Sequence, residues 1–541
     1  MLEDCLGKAM ASAMRRGNGV KLLLLLLATM LSGCVSVGRP TDGVDLAILN
    51  GTVVDGTGAP ARRADILIRG DEIVFVGRAD RARLQSARIV DAAGRYVVPG
   101  FIDNHAHGNP LLDQNFENFL RQGVTTVVLG QDGVSPQDVG DRDAEHGIPG
   151  PATLAQWMQA VDAHGVEVNV AALSGHGTNR MLAGGRTEAP LTPQQRAAAA
   201  EILRGDLAAG AFGLSSGLEY VPGRYASTEE LAELAEIVGA VDGVVMSHMR
   251  SEDDDRIAGA IAELIEQGRH ARVNISHIKI VFGRSADQAE AVLRQIREAR
   301  AAGIRISADV YPYLAGYGDM TLVYPSWAKR RDQWEAAVRD RRPELEAALI
   351  ASVNRRNGPG AILIGSGPYA GKTLEQVARE LNRPFVEVLI DVFGFGGPGA
   401  AHRMMAAEVQ DRFIADPDIS ISTDGGPWIN HPRSWGTYPT VLGYYVRDRH
   451  LITMEAAIRK MTSLPASVLG LRDRGVIAVG RKADLVVFDP TTIRSNATWE
   501  NARQAPTGID AVIVNGAVAL SQGQVSATRH GHVLRRPEAN R

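Results

Sequence analysis

A chain of 541 residues that is 45% hydrophobic and 22% charged has ordinary globular composition and enough length for one large core and a smaller domain, which excludes a disordered or low-complexity protein. A formal net charge of −4, with no run of Lys and Arg outside the extreme N-terminus, supplies no basic field, so nucleic acid is not expected as a partner. The two cysteines, Cys5 and Cys34, exclude a disulfide framework.

Arg15, Arg16 and Lys21 precede an unbroken leucine run, Leu22 to Leu27, that continues through Met30 to the tetrad Leu31, Ser32, Gly33, Cys34. A basic start, an apolar stretch too short to span a bilayer and small residues before a cysteine have the shape of a signal peptide ending in a lipobox. Residues 1–34 are therefore read as a leader, with cleavage before Cys34 and lipidation of its thiol. Cleavage removes Cys5 and commits Cys34, so no thiolate site remains. This reading places the protein on the periplasmic side of a cell envelope, with its lipid anchor as the only membrane contact. Val35 and Ser36 include no Asp, which is compatible with outer-membrane sorting.

Residues 35–43 read as a linker. From Val44 to Gly77 short β segments follow, "DLAILNGTVVDG" and "ADILIRGDEIVFVG", with Asn50-Gly51 and Gly70-Asp71 as turn signals. Comparable segments return only at the far end, Ala483 to Pro490 and Ile509 to Gln524. Residues 44–98 and 475–541 are accordingly expected to build one small β-sandwich between them, with the middle of the chain inserted in it.

Within that middle, 99–474, apolar runs alternate with helix formers. Eight runs read as strands: Tyr96 to Ile102, Val124 to Gly130, Val168 to Gly175, Ala211 to Gly217, Gly243 to Met249, Val273 to Ile280, Ile304 to Tyr313 and Ile419 to Gly426. Between them lie stretches such as "TPQQRAAAAEILRGDLAAG" and "STEELAELAEIVGAV", the second with Ser227 three residues before Glu230, as in a capping box. Repeated βα units of this number predict an α/β fold, a TIM-like (β/α)8 barrel. An open doubly wound sheet is the weaker alternative, since no G-x-G-x-x-G follows the first strand. The stretch between the seventh and eighth strands, 314–414, exceeds one crossover helix and is expected to form a lid-like insertion over the barrel mouth.

A TIM barrel collects its chemistry at the C-terminal ends of its strands. There the sequence sets His105 and His107, Asp132, His176, Glu219, His248, His277, Tyr311 and Tyr313, and Asp424, in strand order. His105 and His107 are two apart and leave an extended strand on one face. Singly, each residue has a structural explanation: His277 as a satisfied core histidine, Asp424 as a helix cap, Glu219 as a solvated loop residue, Asp132 as a turn former. Together, four histidines and an aspartate at one rim, from a chain with 13 His, suit a divalent metal site with an open position for water.

Through "PGFIDNHAH", His248, His277 and Asp424 the sequence resembles the amidohydrolase superfamily. Longer words make it similar, within that group, to the N-acyl-D-amino-acid deacylase (D-aminoacylase) family: "GLSSGLEYVPGRYASTEEL", "SHMRSE", "ISHIK", "DVYPY", "HPRSWGTYPTVLG" and "KMTSLPASVLGL". The resemblance runs over nearly the whole mature chain. It implies a divalent metal, zinc above all, as one or two ions. His105 and His107 would hold the more exposed position, His248 and His277 the tighter one, and Asp424 would be the catalytic acid and base. One position departs from the pattern. Where the family reads G-N-C-G, with the cysteine as a ligand, this chain reads "GQDGVS", so Asp132 stands in the thiolate's place. A carboxylate is a harder donor than thiolate and can bridge two ions. Asp132 is therefore expected to remain a ligand, and to favour a two-metal site or a metal other than zinc more than cysteine would.

The implied reaction is hydrolysis of the linear amide of a small-molecule N-acyl amino acid, in the D configuration. His176, in "SGHGTNR", is expected to reach the developing oxyanion. The resemblance points to Arg433, Lys279 and a tyrosine of "DVYPY", Tyr311 or Tyr313, as the clamp for the substrate carboxylate, with Arg250 as a further candidate. Three rival readings remain. A cyclic amide or imide hydrolase would use the same metal without the carboxylate clamp, and a dipeptidase for D residues would need an acid such as Glu219 or Asp319 for the free amine. A non-catalytic envelope lipoprotein that binds amino-acid derivatives would have no use for Asp424 as a base. Oligomeric state, acyl group and side-chain preference are carried by no motif.

Overall fold

The computed structural model describes residues 43–84, 87–112, 116–137, 152–185 and 188–537. The leader with Cys34, and all of the linker but Gly43, lie outside the described residues. Among those described, no helix is long and apolar enough to cross a membrane.

At the N-terminal end β1 (Leu46–Val53) pairs antiparallel with β2 (Arg62–Arg69), and β2 with β3 (Glu72–Gly77) across a turn at Gly70, whose φ is +56°. β4 (Arg88–Asp91) and β5 (Tyr96–Pro99) lie parallel to β1. Asn50-Gly51, expected as a turn, forms a bulge inside β1 instead: the register slips between Ile48 and Gly51, and Asn50 takes φ +61°. Glycine holds position 51 because a Cβ there would lie 2.6 Å from the Val97 side chain.

The apolar run that begins at Tyr96 serves two domains. It breaks at Gly100, so that Tyr96–Pro99 stays in the end sheet and only β6 (Phe101–Asp103) enters the barrel. The break is steric, since a Cβ at 100 would lie 2.1 Å from the Thr125 hydroxyl. β7 (Val124–Leu129), β8 (Asn169–Ala172) and β9 (Ser174–Gly175) come next; β8 and β9 are one strand interrupted at Leu173. β10 (Gly213–Gly217), β11 (Val244–His248), β12 (Arg272–Ile275) and β13 (Ile306–Val310) continue in parallel.

The insertion then builds its own antiparallel sheet from β14 (Ala315–Gly318), β15 (Ile362–Ile364) and β16 (Ala400–Arg403). Trp334, Leu345, Leu349 and Ile364 are buried in a separate core there. The helix Ala407–Ala415 does not belong to it. Val409, Phe413 and Ile414 join the barrel's core, and Arg412 bonds Glu290 on the helix Ala286–Ala301. The insertion thus closes before residue 414, because the crossover into β17 (Ile419–Ile421) takes a helix of its own.

Eight parallel strand positions in chain order give the expected TIM-like architecture. Hydrogen bonding divides them into the ladders β6-β7-β8 and β9-β10-β11-β12-β13-β17. Among the described residues β17 and β6 share no ladder: one parallel bridge joins Ala106 to Gly425, and the Asp103 carboxylate receives the Thr423 N–H and hydroxyl. That seam orients the site, for the Asp424 N–H donates to the His105 carbonyl and the His107 N–H to the Gly425 carbonyl.

The far end of the chain returns to the first sheet. β18 (Leu485–Phe488) pairs with β5, β19 (Ile509–Val514) with β18, β20 (Ala517–Ser521) with β19, and β21 (Gln524–Val525) with β20. Instead of two facing sheets, the chain ends share one nine-stranded sheet. It curls until the Ile73 N–H on β3 reaches the Arg481 carbonyl ahead of β18, which brings Ile48, Ile66, Leu485 and Ile513 into one core. Burying each such side chain fully contributes roughly 1.5–3 kcal/mol. Residues beyond β21 leave the sheet, and Gly531 and Val533 bridge to Val166 and Val170 on the barrel.

Candidate active site

His105 and His107 follow β6, Asp132 follows β7, His248 ends β11, His277 follows β12 and Asp424 follows β17. Asp132, His277 and Asp424 take φ of +56°, +37° and +47°, a region costly for residues with a Cβ. Strain repeated at three strand ends of one rim marks a place where the surroundings over-determine the side chains. His277 is held there by Asp309, whose carboxylate accepts its N–H at 3.0 Å.

The side chains converge on one point. His105 Nε2 lies 3.6 Å from Asp132 Oδ1 and 3.7 Å from Asp424 Oδ1, and His277 Nε2 lies 3.5 Å from Asp132 Oδ1. His107 Nε2 lies 3.6 Å from Asp132 Oδ2 and 3.0 Å from Asp424 Oδ1. The last of these is a hydrogen bond, but the others are close to the roughly 3.3–3.6 Å that separates atoms about 2.0–2.2 Å from one tetrahedral ion, the spacing of non-bonded ligands. Both ring nitrogens of His105 and Oδ1 of Asp132 are buried with no hydrogen-bond partner among the described residues. Buried lone pairs without donors are costly, and a cation satisfies them.

The residues therefore fit a divalent metal, in two groups that share His277: His105, Asp132, His277 and Asp424, and then His248, Glu252 and His277. Asp132 turns Oδ1 toward His105 and His277 within the first group and Oδ2 toward His107 outside it. Burial alone would raise its carboxyl, but the two imidazoles hold it well below the usual range. At Asp424 burial is likewise outweighed, first by the Arg433 guanidinium and then by His277 and His107.

The H-x-H pair does not act as a unit. His105 is fully buried within the first group, whereas the His107 side chain is 23% exposed and rests on Asp424. Glu252, which the sequence reading passed over, is buried 3.2 Å from His277 Nδ1 and bonds Lys279 Nζ at 2.6 Å. Burial would raise its carboxyl, but Lys279, His248 and His277 pull it down to about 2. Glu219 meets His248 Nε2 at 3.2 Å. Arg433 Nη1 donates to Asp424 Oδ2 at 2.6 Å, and Tyr311 is buried beside both Lys279 and Arg433.

Three expected site residues lie elsewhere. His176 opens the helix His176–Leu182 and is fully buried. Its Nε2 bonds Glu230 at 2.8 Å, and the same carboxylate holds the buried Arg180. Fully buried and absent from the lining of the catalytic cavity, this imidazole does not reach a substrate oxyanion. It also takes the carboxylate that a capping box would use: Ser227 accepts the Glu230 N–H, but the Glu230 side chain turns inward. Arg250 is committed to Glu263 at 2.8 Å and to the Arg224 carbonyl at 2.7 Å. The Tyr313 hydroxyl pairs with Thr440 at 3.0 Å and its ring packs on His431, so of the two tyrosines of "DVYPY" only Tyr311 lines the cavity.

That cavity, of about 590 Å³, has His107, Asp132, His248, His277 and Asp424 in its lining. Tyr317, Asp319, Leu322 and Met404, from the insertion and the turn after it, form one wall, so the insertion shapes the pocket as expected.

Comparison with known proteins agrees with this geometry. The Amidohydrolase family pattern matches residues 96–519. The chain is 35% identical to an N-acyl-D-glutamate deacylase of Alcaligenes xylosoxydans xylosoxydans over 506 residues, 91% of this chain and 97% of that protein. Its fold superposes with a TM-score of 0.77 on an N-acyl-D-glutamate deacylase from Bordetella bronchiseptica crystallised with zinc and a phosphonate mimic of the tetrahedral intermediate, at 31% identity and covering 91% of this chain and all of that one. It superposes equally well, at 33% identity and the same coverage, on a D-aminoacylase studied for its binuclear metal centre. The chain belongs to the amidohydrolase family and, within it, to the metal-dependent N-acyl-D-amino-acid deacylases.

Proposed function

We propose that the chain hydrolyses the amide bond of N-acyl-D-amino acids, with Asp424 as general acid and base and Arg433 as the anchor of the substrate carboxylate. The observation that carries this reading is the 2.6 Å bond between Arg433 and Asp424 beside the ligand groups. In an N-acyl amino acid the scissile nitrogen and the carboxylate share one carbon atom. The group that protonates the nitrogen and the cation that holds the carboxylate must therefore stand side by side. A cyclic amide has no free carboxylate and leaves Arg433 nothing to hold. A dipeptide's amine finds neither acid free, for Glu219 is turned to His248 and Asp319 accepts the Thr321 N–H.

Tyr311 extends the anchor. Its hydroxyl and the Arg433 Nε are buried with no partner among the described residues, and its ring lies 5.0 Å from the Arg433 guanidinium carbon and 5.8 Å from Lys279 Nζ. These groups suit a carboxylate. A divalent ion in the ligand groups supplies acidified water and a polarised carbonyl. Asp424 takes the proton of the attacking water and returns it to the leaving nitrogen, without which an amine departs poorly.

Zinc is the metal we favour, supported by the zinc complex of the Bordetella relative. The second group, His248, Glu252 and His277, favours a second ion. For location, the Leu22 to Leu27 run and Cys34 support an exported, lipid-anchored envelope protein; labelled palmitate should enter the wild type and not Cys34→Ser. The decisive assay is a hydrolysis screen of N-acyl D and L amino acids and cyclic amides. Cleavage of the D compounds, lost on chelation, supports the reading; cleavage of cyclic amides alone overturns it.

A further inference from the structure

Beside the catalytic cavity lies a second one of about 650 Å³, and Glu219, Asp253, Leu322 and Arg356 line both. Six cations border the second chamber. Three are neutralised locally: Arg250 by Glu263, Arg256 by Asp253 and Arg355 by Asp254. The other three, Arg224, Lys329 and Arg356, have no ion-pair partner among the described residues. Arg356 stands where the chambers meet. It donates to the Met404 sulfur at 2.9 Å and the Leu322 carbonyl at 3.1 Å, a weak acceptor and a neutral one for a group built to grip an anion.

The three cations also repel one another. Burial lowers the Lys329 ammonium, and Arg224 and Arg356 lower it further against the pull of Glu219 and, more weakly, of Asp253. Glu219 is the chamber's one acid not tied to an arginine, and it is engaged with His248. A half-buried concentration of positive charge with this little compensation is unfavourable until an anion enters it.

Resting on the deacylase reading, we propose that the substrate carries a second negative charge besides its α-carboxylate, and that Arg356 receives it with Lys329 and Arg224 behind. Two kinds of molecule meet this description: an N-acyl amino acid with an acidic side chain, and one whose acyl group is a dicarboxylic acid. Similarity alone does not choose the source of the charge, since relatives at 32–35% identity include an N-acyl-D-glutamate deacylase, an N-acyl-D-aspartate deacylase and a D-aminoacylase.

The test uses two isosteric pairs and the purified, metal-loaded protein. N-acetyl-D-glutamate is compared with N-acetyl-D-glutamine, and N-succinyl-D-alanine with its terminal amide. The wild type should favour the charged member of one pair by about 10- to 100-fold in kcat/KM, mostly through KM, the range expected of a charged hydrogen bond. Which pair responds identifies the source of the charge. In Arg356→Met the ratio should fall to near one, and Arg356→Lys should restore part of it. Because the ratio is taken within one protein, a loss of folded fraction cancels. Equal rates within both pairs in the wild type, or an unchanged ratio in Arg356→Met, would overturn the proposal alone. Failure of the wild type to cleave any of the four compounds would overturn the deacylase reading and this inference with it.

Discussion

Glu230→Gln separates a structural from a catalytic role for His176. Glu230 accepts from His176 Nε2 at 2.8 Å and from Arg180 Nη1 at 2.5 Å, and Arg180 is fully buried. Glutamine keeps the shape and one acceptor oxygen for His176, but it leaves the guanidinium in the interior without a counter-charge. Breaking a buried pair from one side costs about 3–5 kcal/mol, because the remaining charge has lost its compensation. Thermal unfolding should show a marked drop in Tm for Glu230→Gln. The double variant Glu230→Gln/Arg180→Met should recover much of it, with a coupling energy of about 2 kcal/mol or more. Below the melting range, kcat on an N-acyl-D-amino acid should change by no more than about threefold, because the pair lies behind the cavity and not in it. An unchanged Tm with kcat reduced about a hundredfold would refute this placement and return His176 to the reaction.

Three further outcomes are expected. Arg433→Ala should lose about a hundredfold or more in kcat/KM on acyl amino acids, and Arg433→Lys should recover little, since a point charge does not replace a two-pronged donor. Glu252→Gln, which removes the partner of His277 and Lys279, should weaken metal retention about 10- to 100-fold in dialysis against a chelator. Lys460 is buried with its ammonium on the Asp416 carbonyl, and burial pushes it down to about 7. Its folded pKa lies below the unfolded value, so between pH 7 and about 10.4 the unfolded chain binds more protons and stability rises with pH. Lys460→Met should therefore raise Tm at pH 6, with a smaller gain at pH 9; a gain that grows with pH would contradict the burial argument.

Much of the barrel rim was legible because each functional side chain follows an apolar run, and a β strand that ends at a polar residue delivers it to the mouth. His105, Asp132, His277 and Asp424 meet as that logic requires. The division of the Tyr96 run at Gly100 was not legible, since both halves are equally apolar and only the approach of Thr125 separates them. Glu252 was hidden for another reason. It opens the acidic run "EDDD", which reads as a solvated loop until the fold buries its first member beside His277. His176 stands at a strand end like the others, but position along the chain does not say which way a ring points. The clue lay one unit later, where Glu230, an acid on a helix of outward charges, turns inward to it.

Hydrolysis by this chain requires a cation among His105, Asp132, His277 and Asp424, where both His105 ring nitrogens and Asp132 Oδ1 are buried with no hydrogen-bond partner among the described residues. The measurement that reaches this most directly is metal content against hydrolysis rate, for the wild type and Asp132→Ala, before and after chelation and on stepwise return of zinc. The wild type should lose its activity with its metal and regain it with zinc, while Asp132→Ala should retain less metal at every step. Full amide hydrolysis by metal-free protein, or unchanged metal content in Asp132→Ala, would contradict it.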